Sequence, residues 1–506
     1  MPENDTISPA KWTVMIYMAA NDKVSNKASE IFFRDLNEIG RKLDSLGKPC
    51  EVNILLQVYL KWNSEEEKNQ YRAKRFKIHF DFEKSDPIDT LGPNVKMGDT
   101  EALTGFITWC KTNYPAKKYL LLLWGHGTGS GLFQAEIEEV NDQLKEIAGF
   151  ELKDIQTKEN LNLKELISGQ QLIFAPGTNE AKFNIYYKTD KEEVTDTITV
   201  TKQLIRQFKN NPKYFLRSDN PETLAKLRGY ITSEPNLDAL TGTEVNRSLK
   251  SCFGSEGKID LLLILGCCMQ LVEYGYEIGE HCRYYVASEE LIFFEGYNYY
   301  DTFSTLIENP SMNEKELGTK LVQDTVRRAD YNDEETKYIA ISCVDLQKSR
   351  KLAEFIDNLA QKFLTAPEEL KYQIRHSRGE CSHFGERSYS SFIDIVWFLK
   401  RICHNISELD NYSELRQEIK DLIRYIEEEY IVEAFIGENK IPKPEQLRSL
   451  GGHGVAIYFP ETMEDHLEDE ERGKYFNRNE KLYTDKFSKF NKWNNMFFEY
   501  MKASTT

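Results

Sequence analysis

The run from Ile259 to Leu265, within KIDLLLILGCCMQLVEYGYEI (residues 258–278), leaves little freedom for the fold. A strand this short and almost continuously apolar is buried on both faces, which is the environment of a parallel sheet covered by helices. The residues after it predict a helix, because Met269, Val272 and Tyr276 fall at i, i+3 and i+7 and give one apolar face to lay on that sheet. Between strand and helix stand Gly266, Cys267 and Cys268. A side chain at the carboxyl end of a buried strand points into the crevice where open α/β sheets place ligands. A thiol in the first turn of a helix also feels the positive end of its dipole. The position suits a nucleophile, although most free cysteines are simply small buried hydrophobes.

Nucleophilic chemistry needs a second reactive group. In KKYLLLLWGHGTGSG (117–131) another apolar strand, Tyr119 to Trp124, runs into glycines, and His126 stands between Gly125 and Gly127. Little bulk surrounds that histidine, so its backbone can approach a ligand closely and the amide of Gly127 can point at an oxyanion. Cys267 and His126 are the candidate catalytic pair.

The chain around them has the rhythm of an α/β fold. KWTVMIYMAAND (11–22) reads as a strand, and residues 26–46 read as a helix with Ile31, Phe32, Leu36 and Ile39 on one face. Strands are predicted at 51–62 and 75–82, with His79 on a strand face, and a helix over 97–114 capped by Asp99 or Thr100. This alternation predicts a mostly parallel central sheet flanked by helices, its first half spanning residues 1–131. The rhythm breaks over 132–236, a charged stretch with a helix-like segment (135–147) and strand-like segments (170–176, 182–190, 196–205). That is too long for a loop and reads as a domain-sized insert. The core resumes over 237–347 with a helix at 241–253, the cysteine strand, a strand at 283–290, a loop at 291–303 turning at Glu295 and Gly296, and a strand at 336–347. Residues 348–506 read as mainly helical, with helices at 349–364 and 415–431 and a strand near 454–460. His453, in GGHG, repeats the glycine-flanked histidine but precedes its strand, so it is expected away from the crevice.

Composition narrows the partners. Asp plus Glu number 82 against 65 for Lys plus Arg, a net charge of −17, which disfavours nucleic acid and would steer cationic peptides inward. No apolar run reaches the roughly 18–20 residues that span a bilayer. The polar start MPENDTISPAKW has no hydrophobic signal region, so a cytoplasmic location is expected. Nine cysteines without CxxC spacing fit reduced thiols. His376, Cys381, His383, Cys403 and His404 follow no zinc spacing, so neither a metal centre nor a cofactor is expected.

Several blocks carry a family resemblance. WTVMIYMAA, the segment MGDTEALTGFITWCKTNYPAKKYLLLLWGHGTG, the cysteine segment, the ASEE loop with Gly296 and Tyr299, and GVAIYFP (454–460) resemble, in that order, the clostripain family of cysteine peptidases, whose fold is of the caspase, gingipain and legumain type. The resemblance implies a cysteine endopeptidase acting on protein or peptide substrates. The family's histidine falls on His126. Its nucleophile, in a D-A-C-L-M pattern with V-E-x-A-Y-E downstream, falls on Cys267, fixed by Met269, Glu273, Tyr276 and Glu277, with Cys268 in place of the family's leucine. The mechanism expected is acyl transfer, with the amides of Gly127 and Cys267 holding the oxyanion.

There are departures too. The family's pocket aspartate, two residues before the nucleophile, is Leu265 here, and its second acidic position is Glu295. A basic P1 residue held by Glu295 is the leading expectation, with a neutral P1 residue as the competitor. Members resembling this chain are often activated by cleavage between histidine and cysteine. The insert, with Lys and Arg across 201–217, is therefore expected either to be self-cleaved or to bind a regulatory protein or effector. Calcium dependence occurs among clostripain relatives, but no EF-hand-like loop supplies ligands here. Loss of the pocket aspartate also admits a catalytically silent scaffold that keeps the fold for protein binding.

Overall fold

The computed structural model describes residues 9–20, 23–46, 50–61, 71–92, 95–127, 131–133, 151–154, 160–161, 180–188, 193–201, 239–292, 296–328, 340–381, 391–436, 452–463, 465–466, 469 and 485–504. The chain divides into two compact units. One comprises residues 1–135, 238–469 and 473–506, and the other comprises 136–237 with 470–472.

A nine-stranded sheet forms the centre of the first unit. Its strands are β1 (Ala10–Ala19), β2 (Val52–Lys61), β3 (Tyr71–Lys77), β4 (Asp89–Thr90), β5 (Ala116–Trp124), β6 (Ile259–Leu265), β7 (Cys282–Ser288), β8 (Ala340–Asp345) and β9 (Ile431–Ile436), in the order β9-β8-β7-β6-β5-β1-β2-β3-β4. The five central strands, β7-β6-β5-β1-β2, are mutually parallel. Antiparallel pairs close both edges. All seven residues of β6 are buried, as its almost continuous apolar run requires. Its one polar residue, Asp260, accepts a hydrogen bond from the Tyr119 amide at 2.8 Å, and burial pushes the Asp260 carboxyl upward.

Helices cover both faces. Leu121, Leu123, Leu262 and Ile264 face one core, shared with helices Thr100–Asn113, Gly242–Phe253, Val272–Ile278 and Ser349–Leu364. Leu120, Leu122, Leu261 and Leu263 face the other, shared with helices Lys23–Ser45, Tyr299–Glu308 and Glu314–Arg328. The Gly242–Phe253 helix, which leads back to β6, starts on a capping box in which Thr241 and Glu244 bond each other's backbone amides.

Three local expectations are corrected. The segment 291–303 is not all loop. Asn298 accepts the Asp301 amide at 3.2 Å and caps a helix that begins at Tyr299. The helix expected over 415–431 ends at Tyr425, passes through a π turn at Ile426–Tyr430 and becomes edge strand β9, whose sequence IVEAFI carries β-branched and aromatic residues. His79 lies beyond the end of β3, in a turn where its ring bonds the Phe80 carbonyl and Ser85 Oγ.

The second unit contains a four-stranded antiparallel sheet in the order Glu193–Thr201, Glu180–Lys188, Glu151–Asp154, Asn160–Leu161. The helix-like 135–147 and strand-like 170–176 lie outside the described residues. All nine cysteines are free thiols. No described helix is long and apolar enough to cross a membrane.

Candidate active site

Strands β5 and β6 are adjacent and parallel, with Trp124 opposite Leu265, so their carboxyl ends emerge side by side. The last rung is the Gly125 amide donating to the Leu265 carbonyl at 3.1 Å. Beyond it, His126 and Gly127 pair with Gly131–Phe133, which pairs in turn with Ala239–Thr241. Gly127 lies directly on the Gly266–Cys267 peptide. A Cβ there would stand 2.4 Å from the Cys267 carbonyl oxygen, 2.6 Å from its nitrogen and 2.7 Å from the Gly266 carbonyl carbon, so only glycine fits. His126 and Cys267 are each half-buried.

The chain after Cys267 is tied to the segment that follows β7. The Cys268 amide donates to the Glu290 carbonyl at 3.1 Å and the Gln270 amide to the Ser288 carbonyl at 2.9 Å. The Ile292 amide points at the Cys267 sulfur, 3.5 Å from Sγ. This corrects the expected helix geometry. The helix starts only at Val272, so Cys267 precedes its first turn and does not sit on its free amides. Cys268 takes φ +54°, a left-handed turn that bends the chain after Gly266. The backbone that would have opened the helix is used elsewhere, since Gln270 bonds Ser288 and Ala456, and Leu271 bridges Ala456. Cys268 itself is buried in the core.

The model of the clostripain family matches residues 16–170 and 205–500. The chain belongs to the clostripain family. It is accordingly a cysteine peptidase. Its fold is similar to that of an inactive zymogen C11 protease from Parabacteroides distasonis, at 15% identity, covering 91% of this chain and 95% of that one, with a TM-score of 0.50. It is also similar to a secreted C11 cysteine protease from Bacteroides thetaiotaomicron in complex with an irreversible peptide inhibitor, at 13% identity, covering 96% and 99%, with a TM-score of 0.51. At such identities the likeness is one of fold. No curated protein matched the sequence.

In this clostripain-family chain the wall beside Cys267 is apolar and aromatic. Leu265 is 6% exposed, and its Cδ1 lies 3.1 Å from where a Cβ on Gly296 would be, with the Tyr299 hydroxyl at 3.2 Å. Gly296 has φ +62°, which a side chain would strain. Tyr297 donates to the Ile264 carbonyl at 2.9 Å, and burial first and the nearby Cys267 thiol second push its phenol upward. Glu295 lies outside the described residues.

Two other histidine sites were read from the sequence. His376 stacks on Tyr372, Cys381 donates to the Ser377 carbonyl and Cys403 faces the Arg416 carbonyl, while His383 lies outside the described residues. Among the described residues no three His, Cys, Asp or Glu side chains converge as metal ligands. His453 is not remote from the carboxyl edge of the sheet. The strand after it, Ala456–Tyr458, stands outside the central sheet and pairs with Phe392–Asp394, so the rule for strand ends does not apply to it. Its neighbour Gly454 reaches Glu289, the residue immediately after β7. Sequence reasoning missed Ile292, Gln270 and Glu289. The signal available was Glu289–Glu290, two adjacent carboxylates at the end of a buried strand.

Proposed function

We propose that the peptidase works through Cys267 as nucleophile and His126 as proton carrier, an endopeptidase forming and hydrolysing a thioester. Cys267 Sγ attacks the scissile carbonyl carbon, the amides of Gly127 and Cys267 hold the oxyanion, and His126 gives a proton to the leaving amine. Water, deprotonated by His126, then releases the acyl group as a carboxylic acid. The observation that carries this reading is the seating of Gly127 on the Gly266–Cys267 peptide, which brings the two loops together at adjacent strand ends. Cys267→Ala and His126→Ala are each expected to abolish turnover of a peptide panel. Retained turnover in either would remove that residue from the mechanism.

For specificity, cleavage after Lys or Arg rests on the resemblance alone, which puts the family's second acidic pocket position at Glu295. The Leu265 side chain packed beside Gly296 and Tyr299 favours a second reading, a neutral P1 residue, because an unpaired cation against that wall costs several kcal/mol. Profiling of cleavage sites on a denatured proteome separates the two. For regulation, we read the insert as a segment cut by the enzyme itself. Mass spectrometry should then find a nick within residues 136–237 of the wild type and none in Cys267→Ala. An intact wild-type insert would favour an effector instead.

A further inference from the structure

The loop from Cys267 to Gln270 is one arc of a closed circuit of hydrogen bonds. The second arc is the segment after β7, bound to the loop through Cys268–Glu290 and Gln270–Ser288. The third is the stretch from His453 into the strand Ala456–Tyr458, where the Ala456 amide donates to the Gln270 carbonyl at 2.9 Å. Ser342 fastens the third arc to the first, because its Oγ donates to the Gly454 carbonyl and accepts from Gln270 Nε2 at 2.6 Å. Glu289 joins the second arc to the third. It is fully buried, and its Oε2 accepts the Gly454 amide at 2.9 Å.

The other oxygen, Oε1, has no donor among the described residues and faces the carboxylate of Asp394. Asp394 is 2% exposed and accepts from the Trp397 amide at 2.6 Å, the His453 amide at 2.6 Å and His453 Nδ1 at 3.0 Å. Lys400 Nζ, which also pairs with Glu427, stands 2.9 Å from the far ring nitrogen, so that nitrogen accepts and Nδ1 carries the proton toward Asp394. Two buried carboxylates in contact hold one proton between them. Among the described residues Asp394 has three donors and Glu289 has one, so the proton resides on Glu289.

We propose that Glu289 is a positioning residue of this active site: as a protonated acid it donates to Asp394, accepts from Gly454, and thereby fixes the segment whose Ile292 amide meets the Cys267 sulfur. The inference rests on Cys267 being the nucleophile. Burial first, then Asp394 and Glu290, push the Glu289 carboxyl well above the usual range, while the Gly454 amide pulls the other way.

The test uses Glu289→Gln and Glu289→Ala in the full chain. Glutamine keeps the geometry of the neutral acid, its NH2 donating to Asp394 and its carbonyl accepting from Gly454. Glu289→Ala is expected to lower kcat at least about tenfold, with KM changed less than about twofold, and to slow alkylation of Cys267 by iodoacetamide. Glu289→Gln is expected to restore kcat and alkylation to within about threefold of wild type. Wild-type rates in Glu289→Ala, or a glutamine variant as impaired as the alanine one, overturn the proposal.

Should Glu289→Ala not fold, Tm against pH decides. A carboxyl raised in the fold contributes stability below the ordinary glutamate pKa and loses it as pH rises toward the folded value. The Tm of the wild type should therefore fall relative to that of Glu289→Gln as pH rises from about 4.5, and a gap independent of pH would overturn the proposal. Turnover retained in Cys267→Ala would instead defeat the nucleophile assignment, and the Tm comparison would still report where the proton sits.

Discussion

Replacing Gly127 with alanine tests how closely the two strand ends must approach. The added Cβ would meet three backbone atoms of Gly266 and Cys267 at 2.4–2.7 Å, where real Cβ atoms essentially never come under 3.0 Å. Backbone cannot rotate aside as a side chain can, so the ends of β5 and β6 must part by roughly half an ångström or more, and misplacement approaching 1 Å at reacting atoms costs about 10²-fold. That corresponds to about 2.7 kcal/mol in kcat/KM, with a further 1–3 kcal/mol or so of stability lost to overpacking. The assay is kcat/KM on a fluorogenic peptide with Tm measured beside it. Gly105→Ala is the control, since a Cβ there, on helix Thr100–Asn113, meets nothing within 4 Å. It should leave turnover alone and add about 0.5–1 kcal/mol of stability. A Gly127→Ala enzyme with wild-type turnover and Tm would refute the close approach.

Two further outcomes follow from other residues. Leu265→Asp restores a carboxylate at the wall formed with Gly296 and Tyr299, and should shift cleavage toward Lys and Arg at a stability cost of about 3 kcal/mol; an unchanged P1 profile would show that Leu265 does not line the pocket. His466, whose ring faces the Tyr458 hydroxyl at 3.0 Å, is held by burial at a pKa of about 4. The unfolded chain takes up that proton near pH 6.5, so stability is lost as pH falls from about 6.5 to 4, by up to about 3 kcal/mol. Urea titrations should show this loss shrinking in His466→Gln.

The parallel core was legible because burial on both faces leaves short, nearly continuous apolar runs that end on glycine, too short for buried helices. β6 was read to the residue, and the residues where β5 and β6 end were read as the place of the candidate pair. The turn after β6 was not legible. Met269, Val272 and Tyr276 keep a helical spacing, yet the helix opens only at Val272, because the amide and carbonyl of Gln270 are taken by partners at Ser288 and Ala456, far away in sequence. The ladder that makes β9 an edge strand is equally non-local, since Ile431–Ile436 follow a helix and a π turn with no turn signal between them. Glu289 was invisible for a related reason: a buried carboxyl is explained only by the amide and the second carboxylate that meet it from residues 454 and 394.

Catalysis is assigned to the sulfur of one residue among nine cysteines. Treatment of the wild type with an irreversible peptide electrophile, followed by peptide mapping, should place the adduct on Cys267 alone, with labelling slowed severalfold or more in His126→Ala. An adduct on Cys268 or another cysteine, or labelling of Cys267 unaffected by loss of His126, would contradict it.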